Sequence, residues 1–113
     1  MLPQDHRLTR AADFRRVYAE GQSWSNRLLV LYKAPNGTAY SRFGFSVSRR
    51  IGQAVVRNRT KRRIREVVRL MYEQASSGYD VVLIARQGIL RAEHGAIEQS
   101  VLHLFRLAGV LRD

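Results

Sequence analysis

Between residues 42 and 69 the chain places Arg42, Arg49, Arg50, Arg57, Arg59, Lys61, Arg62, Arg63, Arg65 and Arg69 against a single acid, Glu66. These 28 residues carry +9 of the chain's net +11, so the charge is a patch and not a general solubility coat. The same segment has the repeat of a helix. At about 100° per residue, with Arg57 as zero, Lys61, Arg65 and Arg69 fall at about 40°, 80° and 120°, with Asn58 and Arg62 among them. Val56, Thr60, Ile64, Val67 and Met71 fall together on the opposite side, between about 260° and 340°. One face of this helix must therefore dock into a core, and the other must leave guanidinium groups in solvent. Like charges four residues apart repel by some tenths of a kcal/mol each. A solvated face normally mixes signs, and a membrane-surface helix wants a broad apolar face with Trp or Phe. This helix has neither property. Phosphates are the partner that neutralises such a row.

A chain of 113 residues gives room for one domain, spanning 1–113, and a 45% hydrophobic fraction is enough for a packed core. Of the 20 basic residues only Lys33 and Lys61 are lysine. Arginine grips phosphate bidentately and stacks on bases, although genome composition or growth temperature produces the same bias. The absence of cysteine excludes disulfides, thiolate nucleophiles and cysteine-ligated zinc. Residues 1–10 lack the apolar core of a signal peptide, and the apolar runs at 28–32 and 81–85 fall far short of a membrane span. A cytoplasmic protein with no membrane partner is expected.

Along the chain, Thr9 is placed to cap a first helix reaching about Glu20, with Gly21 as a left-handed stop. Residues 24–34 read as a strand, the stretch most prone to split in two. Asn36-Gly37 is a hairpin signal leading into a second strand over about 39–48, with Phe43, Phe45 and Val47 on one side. The basic helix follows over about 55–74. Residues 81–85 read as a strand buried on both faces. A last helix over about 92–108 has its apolar seam at Ile97, Val101, Leu104, Phe105 and Ala108. The order α-β-β-(β)-α-β-α describes an α+β fold, a small sheet sandwiched by helices.

The ordered block GFSVSRRIGQAVVRNRTKRRIRE at 44–66, with HRL at 6–8, DFRRVY at 13–18, SNR at 25–27, VLY at 30–32, GYDVVLIAR at 78–86 and HLFRLAGV at 103–110, closely resembles the bacterial ribonuclease P protein family. The resemblance covers nearly the whole chain, and the Arg57-Asn58-Arg59 core matches the family's RNR signature. It implies a ribosomal protein S5 domain 2-like fold in which the signature helix joins two parallel strands by a left-handed crossover, against the usual preference. It implies a subunit of an endoribonuclease holoenzyme that removes the 5′ leader from precursor tRNA and leaves 5′-phosphomonoesters. The partners implied are the catalytic RNA and the precursor. The RNA is the catalyst, with Mg2+ held mainly by RNA and substrate. The catalytic RNA is expected on Arg57, Asn58, Arg59, Lys61, Arg62, Arg65 and Arg69. The single-stranded leader is expected in a cleft lined by Phe14, Tyr18 and Tyr32, where aromatic faces stack bases with little sequence preference. Tyr18 departs from the Phe common in the family. On the residues alone, core packing is the better reading of these three aromatics. Ser46, Ser48, Arg49 and Arg50 are expected to add phosphate contacts.

No catalytic or metal-ligating set belongs to the chain itself. Its acids, Asp5, Asp13, Glu20, Glu66, Glu73, Asp80, Glu93, Glu98 and Asp113, form no DxD or ExxxD cluster. His94 and Glu98 share a helix face but have no third ligand. The competing reading is a structural RNA-binding protein of the ribosomal type, which has no reason to present stacking aromatics beside its basic helix.

Overall fold

A computed structural model describes residues 2–112. Four strands, β1 (Gln22–Ser25), β2 (Leu29–Pro35), β3 (Arg42–Ser46) and β4 (Tyr79–Ala85), form one sheet in the order β1-β2-β4-β3. The pairs β1/β2 and β2/β4 are antiparallel, and β3/β4 is parallel. Three helices, α1 (Ala11–Glu20), α2 (Ala54–Arg69) and α3 (His94–Leu107), cover it. The expected α+β order holds, and the first strand does split. At the break, the Asn26 side-chain oxygen accepts the N–H groups of Leu28 and Leu29 at 3.1 and 3.0 Å and the Ser100 hydroxyl at 2.8 Å.

β4, with its apolar run at 81–85, occupies the centre of the sheet. Val81, Leu83 and Ala85 face the main core with Leu29, Leu31 and Phe43. There they meet Ile64, Val67 and Val68 of α2 and the expected α3 seam of Ile97, Val101, Leu104, Phe105 and Ala108. The Phe43 and Phe105 rings stack with centroids 5.9 Å apart. The opposite face, carrying Ala34 and Val82, is covered by α1 through Val17, with Leu8 from the preceding segment.

Several local expectations are corrected. Asn36-Gly37 does not close a hairpin, because β4 lies between β2 and β3. A strand buried on both faces belongs in the middle of a sheet, and that demand outweighs the turn signal. The Asn36 side chain instead accepts the Thr38 N–H at 2.9 Å and donates to Asp80 at 2.9 Å, with Gly37 in the left-handed region at φ +70°. Thr9 does not cap α1, whose N-cap is Arg10 without a side-chain bond. Gly21 is extended at φ −81°, and its role is space, since a Cβ there would lie 2.4 Å from the Val17 carbonyl oxygen. The strand expected over 39–48 shortens to β3, and the basic helix ends at Arg69, followed by a 3-10 turn at Tyr72–Gln74.

One ionic cluster ties these layers together. Asp80 on β4 is fully buried, and its carboxylate accepts two bonds from Arg42 of β3 at 2.8 and 2.7 Å. It also accepts from Asn36 and from Arg16 of α1. Arg16 donates in addition to the Pro35 carbonyl at 3.0 Å. Removing one member of a buried ion cluster leaves the others uncompensated, typically at about 3–5 kcal/mol. Asp80→Ala is accordingly expected to lower the unfolding free energy by about that amount in urea titrations. A loss below about 1 kcal/mol would mean that the cluster is replaceable by water.

Candidate RNA interface

On α2 the docking seam follows the sequence expectation, with Thr60, Ile64 and Val67 buried, Val56 half-buried, and Met71 buried just beyond the helix. Val68 is also buried. The remaining circumference sorts the basic residues into two rows. Arg57, Lys61 and Arg65 are half-buried along the side nearest β3, whereas Asn58, Arg59 and Arg62 are exposed. The Arg65 guanidinium carbon lies 5.8 Å from the centre of the Phe45 ring.

Not every basic residue of the patch is available. Arg42 is engaged by Asp80. Arg63 reaches across to the carbonyls of Ile89 and Ala92, fastening α2 to the 3-10 turn at Gln87–Arg91. Arg69 forms a two-pronged pair with Glu66 at 3.0 and 2.6 Å, so the expected RNA-facing Arg69 already has a carboxylate on it. That pairing holds the Glu66 carboxyl below its ordinary range. Arg49, Arg50, Arg57, Arg59, Lys61, Arg62 and Arg65 form no ion pair with a described residue. Ser48, Arg49 and Arg50 are exposed in the turn between β3 and α2, which Ile51 anchors in the core. Ser46 sits apart from them, at the end of β3 on the α1 side.

The three aromatics come together on the opposite face of the sheet. Phe14 and Tyr18 are one turn apart on α1, and Tyr32 faces them from β2. Ring centroids are 6.3 Å apart for Phe14–Tyr18 and 5.2 Å for Tyr18–Tyr32, the latter pair edge to face. None is core in the way Phe43 and Phe105 are: Phe14 and Tyr32 are half-buried, and Tyr18 is 38% exposed. Burial raises the Tyr18 phenol above its ordinary pKa, opposed by hydrogen bonding with Ser46. The floor depends on Gly44, a residue to which charge and periodicity do not point. A Cβ on Gly44 would lie 2.6 Å from the Phe14 ring. The available signal was an isolated glycine inside a strand, which marks close approach.

Among the described residues, no three His, Asp or Glu side chains gather to hold a metal ion. His94 and Glu98 are 3.8 Å apart on the surface. No described helix is long and apolar enough to cross a membrane.

Comparison with known proteins bears on this arrangement. A family model described as Ribonuclease P matches residues 2–109. The chain belongs to the ribonuclease P protein family. The ribonuclease P protein component of Brevibacillus brevis is 46% identical, covering 99% of this chain and 90% of that one. The component from Symbiobacterium thermophilum is 44% identical, covering 98% and 97%. Among solved structures, the Staphylococcus aureus RNase P protein superposes with a TM-score of 0.86 at 35% identity, covering 95% of this chain and 98% of that chain. The Thermotoga maritima protein gives 0.81 at 33%, covering 88% and 96%. Family membership and the α+β fold thus agree with the resemblance read from the sequence.

The Gly44–Phe14 contact carries its own test. Gly44→Ala should cost about 1–3 kcal/mol through overpacking. The same change made in a Phe14→Leu background should cost measurably less, because the shorter side chain leaves room for the added methyl. Equal costs in the two backgrounds, measured by denaturant titration, would show that Phe14 does not lie on β3.

Proposed function

We propose that this chain is the RNA-binding subunit of a ribonuclease P ribonucleoprotein. In this reading it aids endonucleolytic removal of the 5′ leader from precursor tRNA, with the catalytic RNA on the basic face of α2 and the single-stranded leader in the Phe14–Tyr18–Tyr32 cleft. The observation that carries the reading is the combination of seven arginine and lysine side chains without an ion-pair partner among the described residues and a half-exposed aromatic cleft. Family membership supports it, through relatives named as ribonuclease P protein components.

The chemistry of each surface suits its assigned RNA. Fixed guanidinium groups neutralise phosphates whatever the sequence, as docking on a folded RNA requires. Aromatic faces hold unstacked bases at roughly 1–3 kcal/mol each, with little base preference, as a leader of variable sequence requires. In this reading Mg2+ is held mainly by the RNA and the substrate. The protein's contribution is to hold the two RNAs together while reducing their mutual repulsion. Ser48, Arg49 and Arg50, at the mouth of α2, extend the phosphate-binding surface in this reading, and Ser46 adds a hydroxyl beside Tyr18.

The decisive measurement is cleavage of precursor tRNA by the RNA subunit at low magnesium, with and without this chain. Stimulation is expected, and none would refute the proposal. Phe14→Ala should reduce the holoenzyme's preference for precursor over mature tRNA by roughly 1–3 kcal/mol, while affinity for the RNA subunit stays nearly constant. A thermal melt alongside separates this from unfolding, since equal losses for every RNA together with a lower Tm would make Phe14 merely a packing residue.

A second expectation concerns the catalytic RNA. Replacing Arg57, Arg59 and Arg62 with Gln should leave circular dichroism near wild type, because all three lie away from the Ile64–Val67 seam. For every phosphate no longer neutralised, the salt dependence of RNA-subunit binding should flatten by about 0.7–0.9 in the log–log slope. An unchanged slope would place the contact surface elsewhere.

A further inference from the structure

Of the 20 basic side chains, only those of Lys33 and Lys61 are amines. A guanidinium keeps its proton and its charge, whereas an ammonium can give up a proton and become a nucleophile. Covalent removal of charge from this basic protein is therefore restricted, among side chains, to two positions. The fold treats them oppositely.

Lys33 is shut in. Its Nζ donates to the Ala108 carbonyl at 2.5 Å, where α3 ends, and lies 4.4 Å from the centre of the Tyr79 ring and 5.6 Å from that of Trp24. Two rings cover its approach, and its hydrogen bond would have to break before the nitrogen could attack anything. Lys61 is open. It stands in the middle of α2, with Arg57 one turn before it and Arg65 one turn after. Among the described residues, the side-chain hydrogen bonds of α2 belong to Thr60, Arg63, Glu66 and Arg69, and Lys61 has none. It has no ion pair with a described residue either.

The Lys61 side chain lines a cleft of about 380 Å³ together with Arg7, Thr9, Phe14 and Arg65, and no acid is among its lining residues. Glu66, the one acid of α2, is taken by Arg69. A small anion entering this cleft thus meets two guanidinium groups beside the one open amine. A cleft lined by charge of one sign raises the local concentration of an oppositely charged reactant by roughly tenfold or more.

We propose that Lys61 is an acylation site whose donor is a small acyl phosphate. The ammonium gives one proton to solvent, and the neutral Nζ adds to the acyl carbon. The carbon–oxygen bond to phosphate breaks, and phosphate leaves with that electron pair and the second N–H proton. An uncharged amide remains. Arg7 and Arg65 hold the donor's phosphoryl group and receive the departing phosphate. Of the seven cations without an ion pair to a described residue, Lys61 is the one whose charge this chemistry can erase. Acylation then lowers affinity for RNA. That consequence rests on the proposed RNA-binding reading of α2, whereas the chemistry of the site does not.

The test incubates the full chain with acetyl phosphate near neutral pH and locates the modified lysine by peptide mass mapping. Lys61 should be acetylated about tenfold faster than Lys33, and its rate should fall as salt is added. Arg65→Gln should slow the reaction with acetyl phosphate severalfold but leave the reaction with N-acetoxysuccinimide, an uncharged donor, nearly unchanged. In urea the preference for Lys61 should vanish. Equal rates at the two lysines of the folded chain would overturn the site. So would a preference that survives unfolding, since it would belong to the local sequence and not to the cleft. Equal slowing of both donors by Arg65→Gln would overturn the assignment of an acyl phosphate.

Acetylated and unmodified chains are then compared for binding to the ribonuclease P RNA subunit across a salt series. Acetylation should weaken binding severalfold and flatten the log–log slope by about 0.7–0.9, one phosphate's worth. In Lys61→Arg, treatment with acetyl phosphate should change neither quantity. Circular dichroism on each sample confirms that it is folded. Selective acetylation with RNA binding untouched would overturn the control of affinity. An unmodified chain without affinity for the RNA subunit would instead refute the RNA-binding reading, and selective acetylation of Lys61 would still stand.

Discussion

The buried carboxylate of Asp80 is the constraint on which the functional faces depend. It sits on the central strand and gathers Arg16 from α1, Arg42 from β3 and Asn36 from the loop between β2 and β3. The apolar contact beneath α1 is small, built on Leu8, Val17, Ala34 and Val82. Such a patch fixes distance better than it fixes direction. A carboxylate with three directional donors sets the rotation of α1 on the sheet, and so determines whether Phe14 and Tyr18 face Tyr32. Buried ionic groups are weak evidence for stability, and registry is their best-attested use. That is the role this cluster fills.

The basic helix is organised by a complementary principle. Its charge is divided between residues engaged within the protein and residues without an ion pair to any described residue. Arg63 fastens α2 to the turn before α3, and Arg69 is held by Glu66. Arg42, at the start of the basic segment, lies inside the ionic cluster. Burying the seam of Thr60, Ile64 and Val67 supports the helix while the remaining cations have no ion pair with a described residue. Each unpaired cation adds repulsion that only an anionic partner relieves. In the proposed reading the fold thus keeps a surface that favours the complex over the free protein.

How much of this was legible in the sequence depended on whether a signal was local or relational. The α3 seam and the apolar run of β4 at 81–85 were readable, because burial of a helix face or of a strand on both sides shows in the residue pattern whatever the topology. The α2 seam was readable for the same reason. The false hairpin at Asn36-Gly37 failed because turn chemistry reports a local reversal and not which strand becomes the neighbour. Thr9 failed in a similar way, since the residue type fits a cap but does not make one; Gly21 does end α1, though in an extended conformation and crowded by the Val17 and Lys33 carbonyls. Counting charge located the patch, and the expected RNA-binding set left out Arg63, yet it did not separate Arg69, engaged by Glu66, from Arg59 and Arg62. The aromatics Phe14, Tyr18 and Tyr32 were placed in one cleft through family resemblance alone. The fact that Gly44 makes room for them is a contact across the sheet, which no periodicity reports.

The strand order β1-β2-β4-β3 also has a consequence for how the molecule comes into being. The hairpin of β1 and β2 can form as soon as its residues leave the ribosome. β3 then has only the segment around Arg7 and Leu8 to pair with, because its partner strand in the sheet is β4, whose residues lie more than thirty positions further on. During synthesis β3 and the whole of α2 therefore emerge before the strand that locks them in. Non-local pairing of this kind is slow and leaves edges open. In the interval, the most basic segment of the chain is exposed among the polyanions of the translation machinery. An incomplete sheet and a cationic helix in that setting make the arrival of β4, in the proposed reading, the event that separates recognition of one RNA from indiscriminate adhesion to all of them.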